Sequence, residues 1–454
     1  MSSLAQQSVL LPELFYKPLQ ITFSEQALSS DGGLLLLKAR DHKLGVCEAL
    51  ARALPERRQV SKVEHELPEQ VRQRVYAVAC GYPDVNEAAA LSQDPILKLV
   101  CERRLDDEMG LSSQPTLCRF ENSMTGKDLY RMGEALGVTI LRQLRRRHRR
   151  ARRVWIDVDP TCTPTYGEQQ LTFFNGYYDT SCYLPLVLTL SFDEDPRKYP
   201  GLILLRPGDS DALEGLLPVL KRLVPRVRRL WPKARLGLRA DSAYARSELF
   251  DWLEEARIGY DIAMAANAVL NREVEEALPA VRDIAGRQNE TTAFYFPLEY
   301  RAGSWSRVRR VLAKVEVVVA PGKERRDNLR YVVTSHPGTP EHGFERYYAH
   351  SDMENTLKDL KEGAALGRFG CSSAVANQWR ALLSLAAFTL VQGLAPTYRD
   401  GGERPQVSTI RLWLLKVAVQ VKESARRIVV ELADSYPWAS RFRQIALRVG
   451  AVPL

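Results

Sequence analysis

The sequence predicts an α/β fold: a mixed sheet with helices on both faces, a helical N-terminal domain and a helical C-terminal region. Three patterns predict it. Apolar residues recur at helical spacing up to about residue 150, short β-branched runs then alternate with amphipathic helices, and helical spacing returns at the end of the chain. Because 454 residues exceed what one simple core accommodates, we expect domains at 1–150, 151–395 and 396–454.

The N-terminal domain contains one candidate DNA-reading element. The run SSQPT at 112–116 is typical of a helix start, because a serine precedes a proline of the first turn, and Gly110 provides a turn before it. The helix that follows is either the recognition helix of a helix-turn-helix element or one more helix of a bundle. The sequence leaves both interpretations open.

The central segment alternates strands and helices. Strands are predicted where β-branched residues and leucine cluster, and helices where apolar residues recur every three to four positions. The order β-β-β-α-β-α-β is typical of a ribonuclease-H-like core, in which ligands gather at the carboxyl ends of strands. After a short β-branched run at 154–158, three successive strands are predicted at 171–178, 182–192 and 201–205. The helix 211–231, the strand 235–240, the helix 245–256 and the strand 260–265 complete the order.

The segment from about 267 to 335 interrupts that order. Its apolar residues alternate as in strands, which predicts a β-rich insertion within the core. A long apolar helix is predicted at 372–394. A polar linker rich in proline and glycine follows it and leads to a further helix over 412–421.

The composition excludes several classes of protein. The most apolar stretch, 381–394, is interrupted by Gln392 and is shorter than the roughly 20 residues that a membrane span needs. The first residues lack the basic and apolar regions of a secretory signal. Seven cysteines without a C-x-x-C pair argue against a zinc site or a disulfide framework. We therefore expect a cytoplasmic protein that does not bind membranes.

Basic residues indicate a polyanionic partner. The chain has 64 lysines and arginines against 55 acidic residues, which gives a net charge of +9, and 141–153 (LRQLRRRHRRARR) is a dense arginine block. Phosphate backbones and anionic membranes both accept such a block. Since nothing else suggests a membrane, we interpret Arg145, Arg146 and Arg149 as contacts to a DNA backbone, which are independent of base sequence and sensitive to salt.

Three acidic residues stand in separate patterned contexts. Asp159 and Asp241 each follow a strand-like run, and Glu354 lies in a polar stretch of helical character. Taken singly, an aspartate at a strand end is more often a cap than a catalyst, and a glutamate on a helix is usually solvated. Asp157 alternates onto the same strand face as Asp159, and we favour Asp159 because it stands at the strand end.

A spacing pattern around the third acid, Glu354, favours a catalytic role for all three acids. Tyr347, His350, Glu354 and Lys361 follow the spacing Y-x2-H-x3-E-x6-K. On one continuous helix, His350, Glu354 and Lys361 share a face. Cations on both sides of a carboxylate suit a face that binds metal and phosphate together. Carboxylates delivered to one point from two strand ends and a helix are what a two-metal phosphoryl-transfer site requires.

That spacing resembles the Y-R-E-K signature of bacterial insertion-sequence transposases, in which Y-x2-R-x3-E-x6-K surrounds the last acid of a DDE triad. The stretches LTFFNGYYD from Leu171, SQPTLCRFEN from Ser113 and DMEN from Asp352 also resemble one branch of that superfamily. The resemblance covers about residues 20–430. It implies a DNA transposase of the hairpin-forming, cut-and-paste branch, associated with the bacterial nucleoid.

The resemblance also implies the catalytic residues and the partners. Asp159, Asp241 and Glu354 would be the catalytic acids and would bind two Mg²⁺ ions, for which Mn²⁺ would substitute. The partner would be double-stranded DNA, both the terminal inverted repeats of the element and the target. A homodimer on DNA is expected, because two element ends must be processed together.

Four further residues are implied in DNA binding. Tyr347, His350 and Lys361 would hold phosphates, and Trp305 in the insertion would stack on a flipped base unless it packs against a sheet face. His350 departs from the family's arginine, which is always charged and binds phosphate with a bidentate fork, whereas histidine is mostly neutral near pH 7. Two alternatives therefore stay open: a catalytically impaired, DNA-binding derivative of a transposase, and a ribonuclease-H-fold nuclease without joining activity.

Overall fold

The computed structural model describes residues 9–11, 17, 19–21, 26–193, 195–395 and 404–453. The first elements are β1 (Val9–Leu11), β2 (Leu19–Ile21), β3 (Leu28–Ser29), α1 (Leu34–Leu44), α2 (Val46–Arg52), α3 (Leu67–Cys80), α4 (Ala88–Leu91), α5 (Pro95–Val100), α6 (Gln114–Asn122) and α7 (Gly126–Arg147). The central elements are β4 (Arg153–Pro160), β5 (Thr163–Pro164), β6 (Phe173–Asn175), β7 (Thr180–Tyr183), β8 (Leu186–Phe192), β9 (Asp195–Leu204), α8 (Leu216–Leu230), β10 (Arg235–Ala240), α9 (Ser247–Glu255) and β11 (Gly259–Met264). The last elements are α10 (Ala268–Val274), α11 (Leu278–Gln288), β12 (Thr292–Tyr300), β13 (Arg309–Val318), β14 (Arg326–Thr334), α12 (Pro340–Tyr348), α13 (Asp352–Gly363), α14 (Ala374–Gln392), α15 (Val407–Ile410), β15 (Val419–Glu423), β16 (Ile428–Leu432) and α16 (Ala439–Val449).

The chain divides into two compact units. One comprises Met1–Cys47, Glu56–Phe120 and Leu390–Leu454, and the other comprises Glu48–Pro55 and Glu121–Thr389. The division into three domains that the sequence suggests stays a prediction. Among the residues that the structure describes, no helix is both long and apolar enough to cross a membrane.

The first unit combines helices with a small sheet. α3 is buried along most of its length and ends at Gly81, whose φ of +92° closes the helix in the left-handed conformation. β16, β15 and β3 form an antiparallel sheet in which Val421 lies opposite Val430. The helix predicted over 412–421 is therefore wrong. A π-helical turn occupies its start, and apolar and polar residues alternate from Val419 onward, which is the spacing of a strand.

The second unit is built on one eight-stranded sheet, in the order β12-β13-β14-β11-β10-β4-β8-β9. β4, β10 and β11 are parallel to one another. β8 is antiparallel to β4, β9 is antiparallel to β8, and β14 is antiparallel to β11. Every residue of β8 is buried, which agrees with its mostly apolar sequence, and Thr189 and Ser191 are its two buried polar residues. This large mixed sheet with helices confirms the predicted α/β class.

Two parts of the second unit differ from the predicted order. The stretch 171–178 does not join the main sheet, because it contributes β6 to a separate three-stranded sheet in the order β5-β7-β6. The predicted insertion over 267–335 contains three strands, and β14 pairs with β11, so these strands extend the main sheet. It also holds α10 and α11, which the strand-like alternation does not predict.

A glycine in β10 makes room for an aromatic ring of β4. Gly237 lies opposite Trp155 in the parallel pairing, and a Cβ atom added to this glycine would lie 2.3 Å from the ring. The other side of the contact is charged, since the guanidinium of Arg239 lies 4.7 Å from the centre of the same ring. The strands that lead to Asp159 and Asp241 are thus packed together through this tryptophan.

The substitution Gly237→Ala is expected to destabilise the protein by about 1–3 kcal/mol, because the Trp155 ring has to move within a packed core. Urea denaturation followed by tryptophan fluorescence measures the change. Gly303→Ala is the matched control, since an added Cβ meets no atom within 4 Å there. Equal midpoints for Gly237→Ala and the wild type would show that the ring has room to shift.

Candidate active site

Asp159 and Asp241 end neighbouring parallel strands. Ala240 of β10 pairs with Val158 of β4, so the next residue along each strand is one of the two aspartates. Neighbouring strands are about 4.8 Å apart, which is as close as a sheet brings two backbones. Asp241 also accepts a hydrogen bond from the backbone N–H of Ala243 at 2.9 Å. It therefore caps the helical turn that follows, and its carboxylate is held at the strand end.

Glu354 is exposed in the first turn of α13. One continuous helix is predicted through 347–361, whereas the structure has α12 and α13 with a turn between them. In this turn the N–H of His350 donates to the carbonyl of Tyr347, an i to i−3 bond that winds the chain more tightly than an α-helix does. The expectation that His350, Glu354 and Lys361 share one helix face is therefore wrong.

The three acids interact through their charges. Burial, and then the charges of Asp241 and Glu354, raise the pKa of Asp159 to about 7. His350 and Lys361 act in the opposite direction on the same carboxyl group. Burial also raises the pKa of Asp241, although its backbone hydrogen bonds oppose the shift. Asp159 is therefore only partly ionised at neutral pH, chiefly because it is buried and in addition because the other two carboxylates repel its charge.

A buried ion network begins two residues before Asp159. The carboxylate of Asp157 is fully buried and accepts hydrogen bonds from Arg239 at 2.7 and 3.0 Å and from Lys198 at 2.9 Å. Nδ1 of His350 lies 3.1 Å from the same carboxylate. Burial alone would raise the pKa of Asp157, but the charge of Arg239, the hydrogen bond to His350 and the charge of Lys198 outweigh it and hold this pKa well below its usual range.

The predicted phosphate-binding residues lie beside the acids, and each makes a contact within the protein. His350 is buried against Asp157, and Lys361 donates a hydrogen bond from Nζ to the backbone carbonyl of Cys162 at 2.6 Å. The ring of Tyr347 lies 6.2 Å from that of His350. His350 and Lys361 are close enough to influence Asp159. A role of the three in holding phosphate stays a prediction.

Trp305 is buried within the second unit. Its ring meets those of Phe250 and Tyr300 edge-on at centroid distances of 5.3 and 5.4 Å, and the guanidinium of Arg309 lies 5.5 Å from it. Only 3% of the residue is exposed. This packing favours the interpretation of Trp305 as a core residue over a stacking site, because a base cannot reach an enclosed ring.

The arginine block forms the end of α7 and the turn after it. Arg146 and Arg149 are exposed, and the guanidinium of the half-buried Arg145 donates to the carbonyl of Arg149. In α6, the candidate recognition helix, Leu117 is buried and Arg119 is exposed. Contacts of the arginine block to a DNA backbone stay a prediction, and so does recognition of bases by α6.

The sequence analysis does not identify two cations of the buried network, Lys198 and Arg239, and the reasons differ. Lys198 lies in β9, and no spacing connects it with the acids. Arg239 does have a signal, because it precedes Asp241 by two residues, just as Asp157 precedes Asp159. In parallel strands in this register, Arg239 pairs with Asp157, and both lie on the same strand face as the acids, two residues before them. A D-x-D run beside an R-x-D run could therefore have predicted the Asp157–Arg239 ion pair.

The donor set suits a divalent cation. Carboxylate oxygens are the ligands that Mg²⁺ and Mn²⁺ prefer, and a cation among Asp159, Asp241 and Glu354 would relieve the repulsion that raises the pKa of Asp159. Within the described part of the chain, no group of three histidine, cysteine or acidic side chains surrounds one point closely enough to hold an ion. The residues therefore fit a metal in their chemistry, and the ligand shell is not assembled in this conformation.

The substitution Asp157→Asn is expected to destabilise the protein by about 3–5 kcal/mol, because it leaves the buried cations Arg239 and Lys198 without their anion. Chemical denaturation measures the loss. Asp283→Asn is the control: it removes an exposed ion pair with Arg287 in the same unit, and such pairs are screened by solvent. A loss no larger than that of the control would mean that the network is not needed for folding.

A second prediction concerns pH. The raised pKa of Asp159 means that the folded state favours the neutral carboxyl, so this group's contribution to stability is present at low pH and is lost as the pH rises through about 7. Asp159→Asn should therefore raise the melting temperature of the metal-free protein at pH 8, and the gain should shrink toward pH 4. Scanning fluorimetry in a chelator across this range measures it. A variant that melts lower than the wild type at pH 8 would contradict the prediction.

Comparison with known proteins identifies the family. No curated protein matches the chain. A family model described as transposase DDE domain, group 1, matches residues 11–453, which is nearly the whole chain. Membership of this family implies a DNA substrate. Members of the family generally use divalent metal ions. The chain therefore belongs to the group 1 family of DDE-domain transposases.

Proposed function

We propose that the protein binds the terminal inverted repeats of an insertion sequence, excises the element by metal-dependent strand cleavage and joins its 3′ ends to target DNA. The observation that carries the proposal is the placement of two acids at the carboxyl ends of neighbouring parallel strands, with a third acid close to them. Asp159 and Asp241 follow paired residues of neighbouring parallel strands, and Glu354 is near enough to raise the pKa of Asp159. Membership of the transposase family supports the same activity.

The strand order supports a ribonuclease-H-like core. In the run β9-β8-β4-β10-β11, β9, β8 and β4 are antiparallel neighbours, and β10 and β11 are parallel to β4. In sheets with parallel strands, sites form at the carboxyl ends of those strands, where Asp159 and Asp241 lie. β12, β13 and β14 then stand between the second and the third acid in the sequence, as expected of an insertion.

Asp159, Asp241 and Glu354 would hold two Mg²⁺ ions, for which Mn²⁺ would substitute. Bound there, the ions would supply activation of the attacking oxygen and stabilisation of the leaving 3′-oxygen. Asp159 must give up its proton before it can act as a ligand, so metal binding would release a proton near neutral pH. The backbone N–H of Ala243 keeps Asp241 oriented, and Lys361 places positive charge beside Asp159.

Strand cleavage would break the P–O3′ bond at the element end, with water as the attacking group, and would leave a free 3′-hydroxyl. In the hairpin-forming branch, that hydroxyl attacks the opposite strand, and after hairpin opening the 3′ end attacks a target phosphodiester. Tyr347, His350 and Lys361 would hold phosphates during these steps. Arg145, Arg146 and Arg149 would follow the DNA backbone. A homodimer would bring the two element ends together.

A specific observation favours a second candidate, a DNA-binding derivative with impaired catalysis. The position where the signature has arginine is His350, and its Nδ1 is engaged by the buried Asp157. Histidine has one remaining ring nitrogen for a phosphate, whereas arginine offers a fork of donors. A nuclease without joining activity is the other alternative, and it differs from a transposase in its products.

Cleavage of a labelled duplex that carries the element's terminal inverted repeat tests the proposal. In Mg²⁺ or Mn²⁺ the wild type should nick the end and then give a hairpin-sized product, and a chelator should abolish both. Glu354→Ala should lower the rate by more than about 100-fold, since a metal ligand is lost. Glu362→Ala, which removes an exposed glutamate of the same helix, should leave the rate unchanged.

Three other outcomes would separate the alternatives. Tight binding to the repeat without cleavage in either metal would identify an impaired derivative. Nicking without a joined product, when target DNA is supplied, would identify a nuclease. Full activity in Glu354→Ala would show that the third acid is misassigned.

A further inference from the structure

The small sheet that follows β4 exposes much aromatic surface. We use the name aromatic hairpin for residues 163–183, which contain β5, β6 and β7. Large apolar side chains are normally scattered singly over a protein surface. The aromatic hairpin instead exposes Tyr166, Leu171, Phe173, Phe174, Tyr177 and Tyr178 within a short stretch of chain. Because Trp305 is enclosed, the exposed rings of the aromatic hairpin are a separate candidate for stacking on a base.

Tyr177 and Tyr178 are the part of the aromatic hairpin next to the candidate site. Their rings meet edge-on, with centroids 4.8 Å apart and planes at 87°. Tyr177 is 88% exposed and Tyr178 is 38% exposed. Burial, and then the charge of Asp159, raise the pKa of Tyr178 to about 12. Pro160 of β4 pairs with Leu186 of β8, so the aromatic hairpin leaves and re-enters the main sheet next to Asp159, and Tyr177 is the more exposed of its two neighbouring rings.

The turn that presents the two tyrosines is held in place. Oδ1 of Asn175 accepts hydrogen bonds from the backbone N–H groups of Tyr177 at 3.0 Å and Tyr178 at 3.3 Å, and its Nδ2 donates to the carbonyl of Gly208 at 2.7 Å. A Cβ added to Gly176 would meet no atom within 4 Å, so the outer side of the turn is open. A ring on an ordered turn loses little freedom when it binds, which favours affinity.

We propose that Tyr177 is a stacking site for a nucleobase of the DNA strand that enters the acid site, with Tyr178 supporting its ring from the side. This rests on the proposed function, since DNA must be the substrate. The exposed ring of Tyr177 favours a base over a phosphate as the occupant, because a base stacks on an aromatic face whereas a phosphate is bound by cations and N–H donors. Aromatic rings stack on any base, so the site would be independent of sequence.

The test compares two fluorescent single strands of about 15 nucleotides, an oligothymidylate and an abasic strand with the same backbone. The full-length wild type in Mg²⁺ should bind the oligothymidylate roughly tenfold more tightly by fluorescence anisotropy. Tyr177→Ala should lose most of this preference and leave abasic binding unchanged. Tyr177→Phe should keep it, because the ring remains. Tyr130→Ala removes an exposed tyrosine of α7 and serves as the control.

Several outcomes would overturn the proposal. A wild type without preference would show that no base is bound, and a preference retained in Tyr177→Ala would place the base elsewhere. If Tyr177→Ala instead turns a dimer into a monomer in size-exclusion chromatography without DNA, the surface is an interface between two copies.

The proposed function fails in a different experiment. Asp159→Ala should abolish cleavage and keep the preference for bases. A wild type that shows the preference and does not cleave would count against transposition only.

Discussion

The arrangement of the acids depends on one buried anion, Asp157. Its carboxylate binds Arg239 of β10, Lys198 of β9 and the imidazole of His350 in the turn before α13. Asp157, Arg239 and His350 each stand two to four residues before one of the three acids. The network therefore holds together the three chain segments that carry the acids, and its residues are buried two to four positions before the acids.

Such a network is expensive in free energy, because each buried ion costs several kcal/mol of desolvation and apolar packing is often as stable. The network instead specifies the register in which β10 pairs with its neighbour. Arg239 also donates to Ser191 and to the carbonyl of Arg346, so its fork matches one register of β10. A slip by one residue would turn every side chain of the strand to the opposite face and leave charge uncompensated in the core.

Much of this architecture can be predicted from local patterns, and the failures have physical causes. Strand ends at Asp159 and Asp241 follow from β-branched runs, since strand spacing is local information. The turn between α12 and α13 does not, because i to i−3 bonds replace helical ones without a proline or glycine to announce them. The sequence leaves open whether Trp305 stacks on a base or packs against a sheet face, and only the fold shows that Phe250, Tyr300 and Arg309 lie against its ring. Lys198 reaches Asp157 from β9, and no spacing in the sequence indicates this contact.

The acids are carried by two kinds of element, sheet strands for Asp159 and Asp241 and an exposed helical turn for Glu354. This difference explains why their side chains do not yet surround one point. Asp159 and Asp241 extend from paired strands of a packed sheet, and moving either would break ladder hydrogen bonds. Glu354 stands exposed in the first turn of a helix, where its side chain can change rotamer without moving the backbone. Adjustment toward a cation therefore costs least at Glu354. The first helical turn also favours a carboxylate through the helix dipole, so the position of Glu354 suits an acidic side chain that turns toward a cation.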